Sequence, residues 1–201
     1  MSNAYQYEDS KNIYIDPKTG VLKNLAGFSN YEDLHFFESI TVSKRLNELY
    51  ENPLKIVGVK SLFLIHHHLF QDVYSWAGKK RVVEISKDGK EFIPTLLFEN
   101  AFRFTDDLIT EYRHLRKNQK QKIAEKLAEI IDSVYYLHPF REGNGRAQRE
   151  FIRLLAWEKE YILNLNPPDK NVFDRYMQGT VNSDTKILAD LIFELLKKDR
   201  K

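Results

Sequence analysis

Twelve consecutive residues, His138-Pro139-Phe140-Arg141-Glu142-Gly143-Asn144-Gly145-Arg146-Ala147-Gln148-Arg149, bring together an imidazole, a carboxylate, a Gly-Asn-Gly turn and several arginines. Such groups can hold a metal-bound polyphosphate and pass one piece of it to a hydroxyl. His138 is the candidate general base, because an imidazole with an ordinary pKa near 6.5 accepts a proton at neutral pH. Its plain alternative is a helix-end histidine that satisfies backbone carbonyls. Glu142 offers a hard oxygen ligand for Mg²⁺ beside phosphates, or else a first-turn acid on a helix dipole. Gly143-Asn144-Gly145 permits left-handed backbone and close approach to an anion; an ordinary cap or loop is the competing reading. Arg146, Arg149 and Arg153 recur at helical spacing. Beside a phosphate nest Arg146 and Arg149 become charge clamps; alone, the three are a solvated basic stripe. Phe140 is assigned to burial, fixing the turn. His66-His67-His68 is not a metal site, since consecutive helical side chains point about 100° apart and cannot converge.

The elements that must carry this segment are helical. Ser29 with Glu32 has capping-box spacing, Asn30 being the alternative cap, ahead of apolar Leu34, Phe37, Ile40, Leu46 and Leu49. A second helix is expected from Leu54 to Phe70, bearing Ile56, Val59, Phe63 and Leu69. Others are expected over Phe98–Leu115 and Gln121–Leu137. The latter, with Ile123, Leu127, Ile130, Ile131, Val134 and Leu137 on one stripe, should be the central buried helix. It stops at His138 because Pro139 disfavours helical geometry there. A helix from Asn144 to Lys159 follows, so the glycine turn would present bare N–H groups to an anion at a helix start. Pro167-Pro168-Asp169 breaks the chain before two last helices, Val172–Gly179 and Ile187–Lys197. The one strong β signal is a hairpin, Arg81–Ile85 and Glu91–Pro94 around Ser86–Lys90.

The 201 residues suit one domain: an N-terminal arm over residues 1–25 with a turn at Asp16–Gly20, a core over 26–196, and a basic tail over 197–201 that is solvated or frayed. Met1–Ala4 are set aside as a candidate cloning scar. Hydrophobic residues at 42% supply a core, and a formal net charge of +2 gives no ground for nucleic-acid binding. Without cysteine there is no disulfide, thiolate nucleophile or Cys-based zinc site, which suits a cytoplasmic location. No apolar run reaches the roughly 18 residues of a membrane span.

His138 through Arg149 matches His-Pro-Phe-x-Asp/Glu-Gly-Asn-Gly-Arg-x-x-Arg, and on it the chain resembles the Fic-domain proteins. The resemblance extends to Val21–Asn24, to Leu69–Gly78 with Arg81, and to Glu84–Phe92, covering about Thr19 to Leu196. It implies an all-α, Fic-fold helical domain with one β-hairpin flap. It also implies a protein adenylyltransferase: AMP passes from ATP to a Ser, Thr or Tyr hydroxyl of a target protein, with Mg²⁺ and release of pyrophosphate. In that scheme His138 takes the hydroxyl proton and Glu142 holds Mg²⁺. Gly143, Asn144 and Gly145 bind the α- and β-phosphates, and Arg146 and Arg149 steady the β- and γ-phosphates. The flap at Ile85, Ser86 and Lys87 docks the target by strand-like pairing. Gly145 favours AMP transfer over the phosphorylation run by the related Doc-type toxins. Transfer of phosphoryl or UMP, or silent nucleotide binding, are the alternatives.

The family's self-inhibiting pattern, Ser/Thr-x-x-x-Glu-Gly/Asn, occurs at Thr95–Asn100, between flap and core helices, where Glu99 reads as an early-turn acid rather than an inhibitor. The resemblance therefore points to a stand-alone toxin or regulator of cell growth and division, acting in the producing cell. A small antitoxin-like partner would restrain it in trans.

Overall fold

The computed structural model describes residues 5–7, 9–87, 89–166 and 169–199. The candidate scar Met1–Ala4, Asp88 of the hairpin turn, the Pro167-Pro168 break and the last two residues of the basic tail lie outside the described residues. Helix α4 (Lys120–Leu137) forms the centre. Its expected stripe is buried along its whole length, with Ala124 and Ala128 beside it, and each large apolar side chain so buried contributes roughly 1.5–3 kcal/mol. Against it pack α3 (Phe98–His114), α5 (Asn144–Glu158) and α7 (Thr185–Leu195), while α6 (Lys170–Asn182) lies mainly on α7. Helices α1 (Tyr31–Glu51) and α2 (Lys60–Phe70) complete the layer, α2 resting on both α1 and α5.

Of the two candidate caps for α1, Asn30 is the one used, its Oδ1 accepting the Asp33 amide at 2.8 Å. Ile40 is not on the buried face but 55% exposed; Val42 and the carboxylate of Glu38 take the inner positions. Helix α2 begins six residues later than the apolar spacing suggests. Leu54–Val59 is non-helical, because Asp106 accepts the Val59 amide at 2.6 Å and Arg113 donates to the Ile56 carbonyl at 2.5 Å. That segment still buries Ile56 completely.

The hairpin is shorter than expected: β2 (Ile85–Lys87) and β3 (Lys90–Glu91) pair antiparallel. It is also not alone. Strand β1 (Tyr5–Tyr7) pairs with the outer edge of β2, Tyr5 opposite Lys87 and Tyr7 opposite Ile85, giving the order β1-β2-β3. The tail is likewise not frayed at its start, since β5 (Lys197–Lys198) pairs with β4 (Tyr161–Ile162). The arm has structure of its own. Asp9 accepts the amides of Ile13, Tyr14 and Ile15, and Ile15 bridges to Leu22 across the Asp16–Gly20 turn. Tyr14 enters the core edge-on to Trp76 and accepts the Val82 amide through its hydroxyl.

Candidate active site

Helix α4 ends where Pro139 requires it to. His138 takes left-handed backbone, φ 40° and ψ 58°, as the C-cap. A non-glycine residue in that region costs about 1–3 kcal/mol and persists only where its surroundings hold it. Arg81 supplies the hold. Its buried guanidinium donates from Nε to the His138 carbonyl (2.9 Å) and from Nη1 and Nη2 to the carbonyls of Val83 and Ile93 (2.7 and 2.6 Å). The Arg81 amide donates to the Pro139 carbonyl at 2.7 Å. One side chain thus binds the histidine's backbone to both legs of the flap.

The His138 ring is fixed as firmly. Its Nδ1 lies 3.2 Å from the Tyr135 carbonyl, which can only accept, so the proton sits on Nδ1 and the lone pair on Nε2. Phe92, at the foot of the flap, stacks face to face on the imidazole with centroids 3.7 Å apart. Only 2% of the residue is exposed, and burial pushes its pKa down to about 3. The ordinary value near 6.5 assumed from sequence does not apply in this closed arrangement.

Beyond His138 the loop turns on Gly143, φ 80°, where a Cβ would lie 2.3 Å from the Phe70 ring. Asn144 brackets the loop: its Oδ1 accepts the Phe140 amide (2.9 Å) and its Nδ2 donates to the Phe140 carbonyl (2.8 Å). That side chain is therefore committed to the loop. What Asn144, Gly145 and Arg146 offer an anion is their first-turn amides, which have no acceptor within α5. Arg149 lies over this opening, with Nη1 3.0 Å from where a Gly145 Cβ would stand, and is held by Asn166. Arg146 turns the other way, to Glu38 on α1 (2.6 Å), with Glu142 at 3.7 Å and the Phe70 ring beneath it. Arg153 is remote from the opening and pairs with buried Glu150 at 2.5 Å.

Glu142 accepts the Gly143 amide through Oε1 at 2.9 Å and remains partly exposed at the mouth of the opening. Among the described residues no three His, Cys, Asp or Glu side chains gather as a cation site. A single carboxylate completed by phosphate oxygens is a coordination Mg²⁺ accepts, and Glu142 fits that part. One cavity lies between the flap and the end of α6, and a second borders the loop. The first, of about 320 Å³, runs from Phe92 and Tyr135 to Asn182 and Ser183. The second, of about 240 Å³, lies between the arm and α1, reaching Glu38, Tyr74, Glu142 and Arg146.

The structure thus places His138, Glu142, the glycine turn and Arg149 around one loop, with Ile85–Lys87 on the adjoining flap. Glu99 stands apart, exposed, and pairs with Lys80 at 3.6 Å. Sequence reasoning missed three residues. Arg81 is one. Glu38 is another, though Leu34-Glu38-Val42 puts a carboxylate in mid-stripe, a position that demands a buried partner. The third is His66, which the histidine run left among ordinary helix positions. Its Nδ1 accepts the Gly78 amide, so Nε2–H donates to the Glu142 carbonyl at 2.9 Å, and its ring stacks on Phe140 at 3.7 Å. Burial lowers its pKa to about 3, keeping it neutral in this role.

Known proteins of similar sequence and fold give the chain its relatives. The sequence model of the Fic/DOC family matches residues 57–156. Protein adenylyltransferase VbhT of Bartonella schoenbuchensis is 34% identical over 93% of this chain, which spans 39% of that relative's length. The probable protein adenylyltransferase y4lH of Sinorhizobium fredii is 30% identical over 89% of this chain and 91% of its own. Among solved structures, the BepC protein of Bartonella tribocorum with bound AMPPNP superposes with a TM-score of 0.80, covering 93% of this chain and 97% of that one at 22% identity. That last likeness speaks for the fold alone.

Proposed function

The chain belongs to the Fic/DOC family, and from that premise we propose that it is a protein adenylyltransferase, a nucleotidyltransferase that moves AMP from ATP to a Ser, Thr or Tyr hydroxyl of a target protein. The observation that carries the reading is the pairing, across one loop, of a histidine whose lone pair is fixed on Nε2 with a helix start whose first-turn amides have no partner within the helix and no side-chain cap. The amides of Asn144, Gly145 and Arg146 receive the α- and β-phosphates, and Arg149 faces the γ-phosphate. Glu142 binds the Mg²⁺ that accompanies the nucleotide and offsets its charge. The nucleoside takes the cavity beside Phe92 and Tyr135. The target hydroxyl oxygen attacks the α-phosphorus, its proton passes to His138 Nε2, and the bond to the β-phosphate oxygen breaks to release pyrophosphate. The Nε2 lone pair lies in the ring plane, off the face that Phe92 covers, but His138 is only 2% exposed, so the target hydroxyl reaches it only when the surroundings of the ring open.

The target segment docks along the flap at Ile85, Ser86 and Lys87, and pairing with that edge requires it to take the place of β1. The reading extends to a role as toxin or growth regulator in the cytoplasm. With Glu99 paired to Lys80, the glutamate that would restrain Arg149 comes from a small protein partner; no inhibition by neighbouring small proteins on co-expression would overturn that part. Labelled ATP tests the activity. Label at the α-phosphate should stay on protein, label at the γ-phosphate should not, and His138→Ala should abolish transfer. Retention of the γ-label instead would mean phosphorylation.

A further inference from the structure

Arg146 is held by an acid that no part of the motif contains. Glu38 lies on α1 in a buried position, and its Oε1 meets Arg146 Nη1 at 2.6 Å. The other oxygen of Glu38 accepts the Tyr74 hydroxyl, and Tyr74 is locked against Trp76 with rings 4.3 Å apart. Arg146 Nη2 then stands 3.7 Å from the Glu142 carboxylate, and its guanidinium sits 4.7 Å over the centre of the Phe70 ring. Phe70 is the same ring that forbids a side chain at Gly143. Tyr74, Glu38, Arg146 and Glu142 therefore form one row of alternating partners from the core to the mouth of the opening.

For Arg146 to swing onto a phosphate it would have to leave the buried Glu38 with only the Tyr74 hydroxyl as partner, and breaking a buried ion pair is strongly unfavourable. At its present distance Arg146 steers Glu142 without covering it, since 3.7 Å is too long for a hydrogen bond. We propose that Glu38 is a positioning residue, which with Tyr74 pins Arg146 as a strut that sets the Glu142 carboxylate toward the nucleotide's cation, leaving the phosphates to the α5 amides and Arg149. The proposal rests on Glu142 as the cation ligand. Its consequence is that Glu38 governs metal affinity and not metal-free nucleotide affinity. Without the Glu38 charge, Arg146 is free to close on Glu142 and mask it.

The experiment uses the full chain and AMPPNP. Calorimetry measures AMPPNP binding without metal, and electron paramagnetic resonance measures Mn²⁺ binding with AMPPNP present. Partners that orient metal ligands typically matter by about 10- to 100-fold. Glu38→Gln should weaken Mn²⁺ by about tenfold or more and leave metal-free AMPPNP affinity within about twofold, while Glu38→Asp restores part of the loss. Tyr74→Phe keeps the ion pair and should give a smaller loss of the same kind, which serves if Glu38→Gln fails to fold. A parallel fall in metal-free AMPPNP binding would make Arg146 a phosphate clamp and overturn the proposal. So would a lowered melting temperature with both affinities intact. If Glu142→Gln leaves Mn²⁺ binding at the wild-type level, the ligand assignment itself fails and the proposal goes with it.

Discussion

At the scale of single residues, the site depends on side chains that touch backbone. Arg81 is buried, and burial pulls its pKa down, yet it keeps its charge because several carbonyls and Glu84 surround it. Lysine carries as much charge but cannot span these acceptors with a planar fork. Arg81→Lys should cost about 2–4 kcal/mol in denaturant unfolding, since each buried carbonyl left without a donor costs roughly 1–3 kcal/mol. It should also lower kcat more than it raises the KM for ATP, because His138 loses its hold while the α5 amides do not. The two buried histidines give a pH dependence. Both His66 and His138 have folded pKa values of about 3, below the ordinary value near 6.5. Between those values the unfolded chain binds two protons that the folded chain refuses. Stability from this source is complete above about pH 6.5 and is lost as pH falls toward 3. The combined slope is at most about 2.7 kcal/mol per pH unit. Urea midpoints measured from pH 8 down to pH 4.5 should be level and then fall. His66→Gln should roughly halve the contribution of these two groups to the slope, and an unchanged slope would refute the buried-neutral assignment.

At the scale of elements, the α4–α5 loop separates two glycines with different duties. Gly143 has both a left-handed backbone and the Phe70 ring against it, whereas a methyl at Gly145 meets only the movable end of Arg149. Gly143→Ala should therefore lower the melting temperature and abolish AMPPNP binding. Gly145→Ala should melt near wild type and alter AMPPNP affinity; equal effects in the two would remove the distinction. Such a loop was readable in the sequence because its parts are contiguous and Pro139 marks the helix end. The helices with a long apolar period were readable for the same reason, α4 above all. The start of α2 was not, since a side chain 47 residues away, Asp106, decides it by taking the Val59 amide. Nor were the supports of the site. Arg81 reaches His138 across 57 residues and His66 reaches Glu142 across 76, distances over which no local pattern survives. The strands β1, β4 and β5 are two or three residues long, too short to show alternation, and exist only through distant pairing.

At the scale of the whole molecule, the arm and the flap form one assembly whose edges bear on access. A free strand edge is an invitation to any extended peptide, and natural sheets commonly cover theirs. Here β2 has β3 on one side and β1 on the other, so the flap strand has no open edge among the described residues. The arm that delivers β1 is folded on itself by Asp9 and fastened to the domain by Tyr14 in the core and by the bond from the Val82 amide to the Tyr14 hydroxyl. Residues 5–7 can therefore detach while the rest of the arm stays in place. A target strand that pairs with Ile85–Lys87 must compete with them, and each backbone bond that β1 makes is worth roughly 1 kcal/mol net. Gln6→Pro, which removes an amide and breaks the strand opposite Ser86, should release the edge. Amide exchange at Ile85–Lys87 should quicken, while AMPPNP affinity and melting temperature stay near wild type. Transfer of AMP to protein at limiting target should then rise by up to about tenfold, the equivalent of about 1.4 kcal/mol. Faster exchange without faster transfer would mean that targets approach elsewhere than this edge. Unchanged exchange would mean that β1 does not guard it.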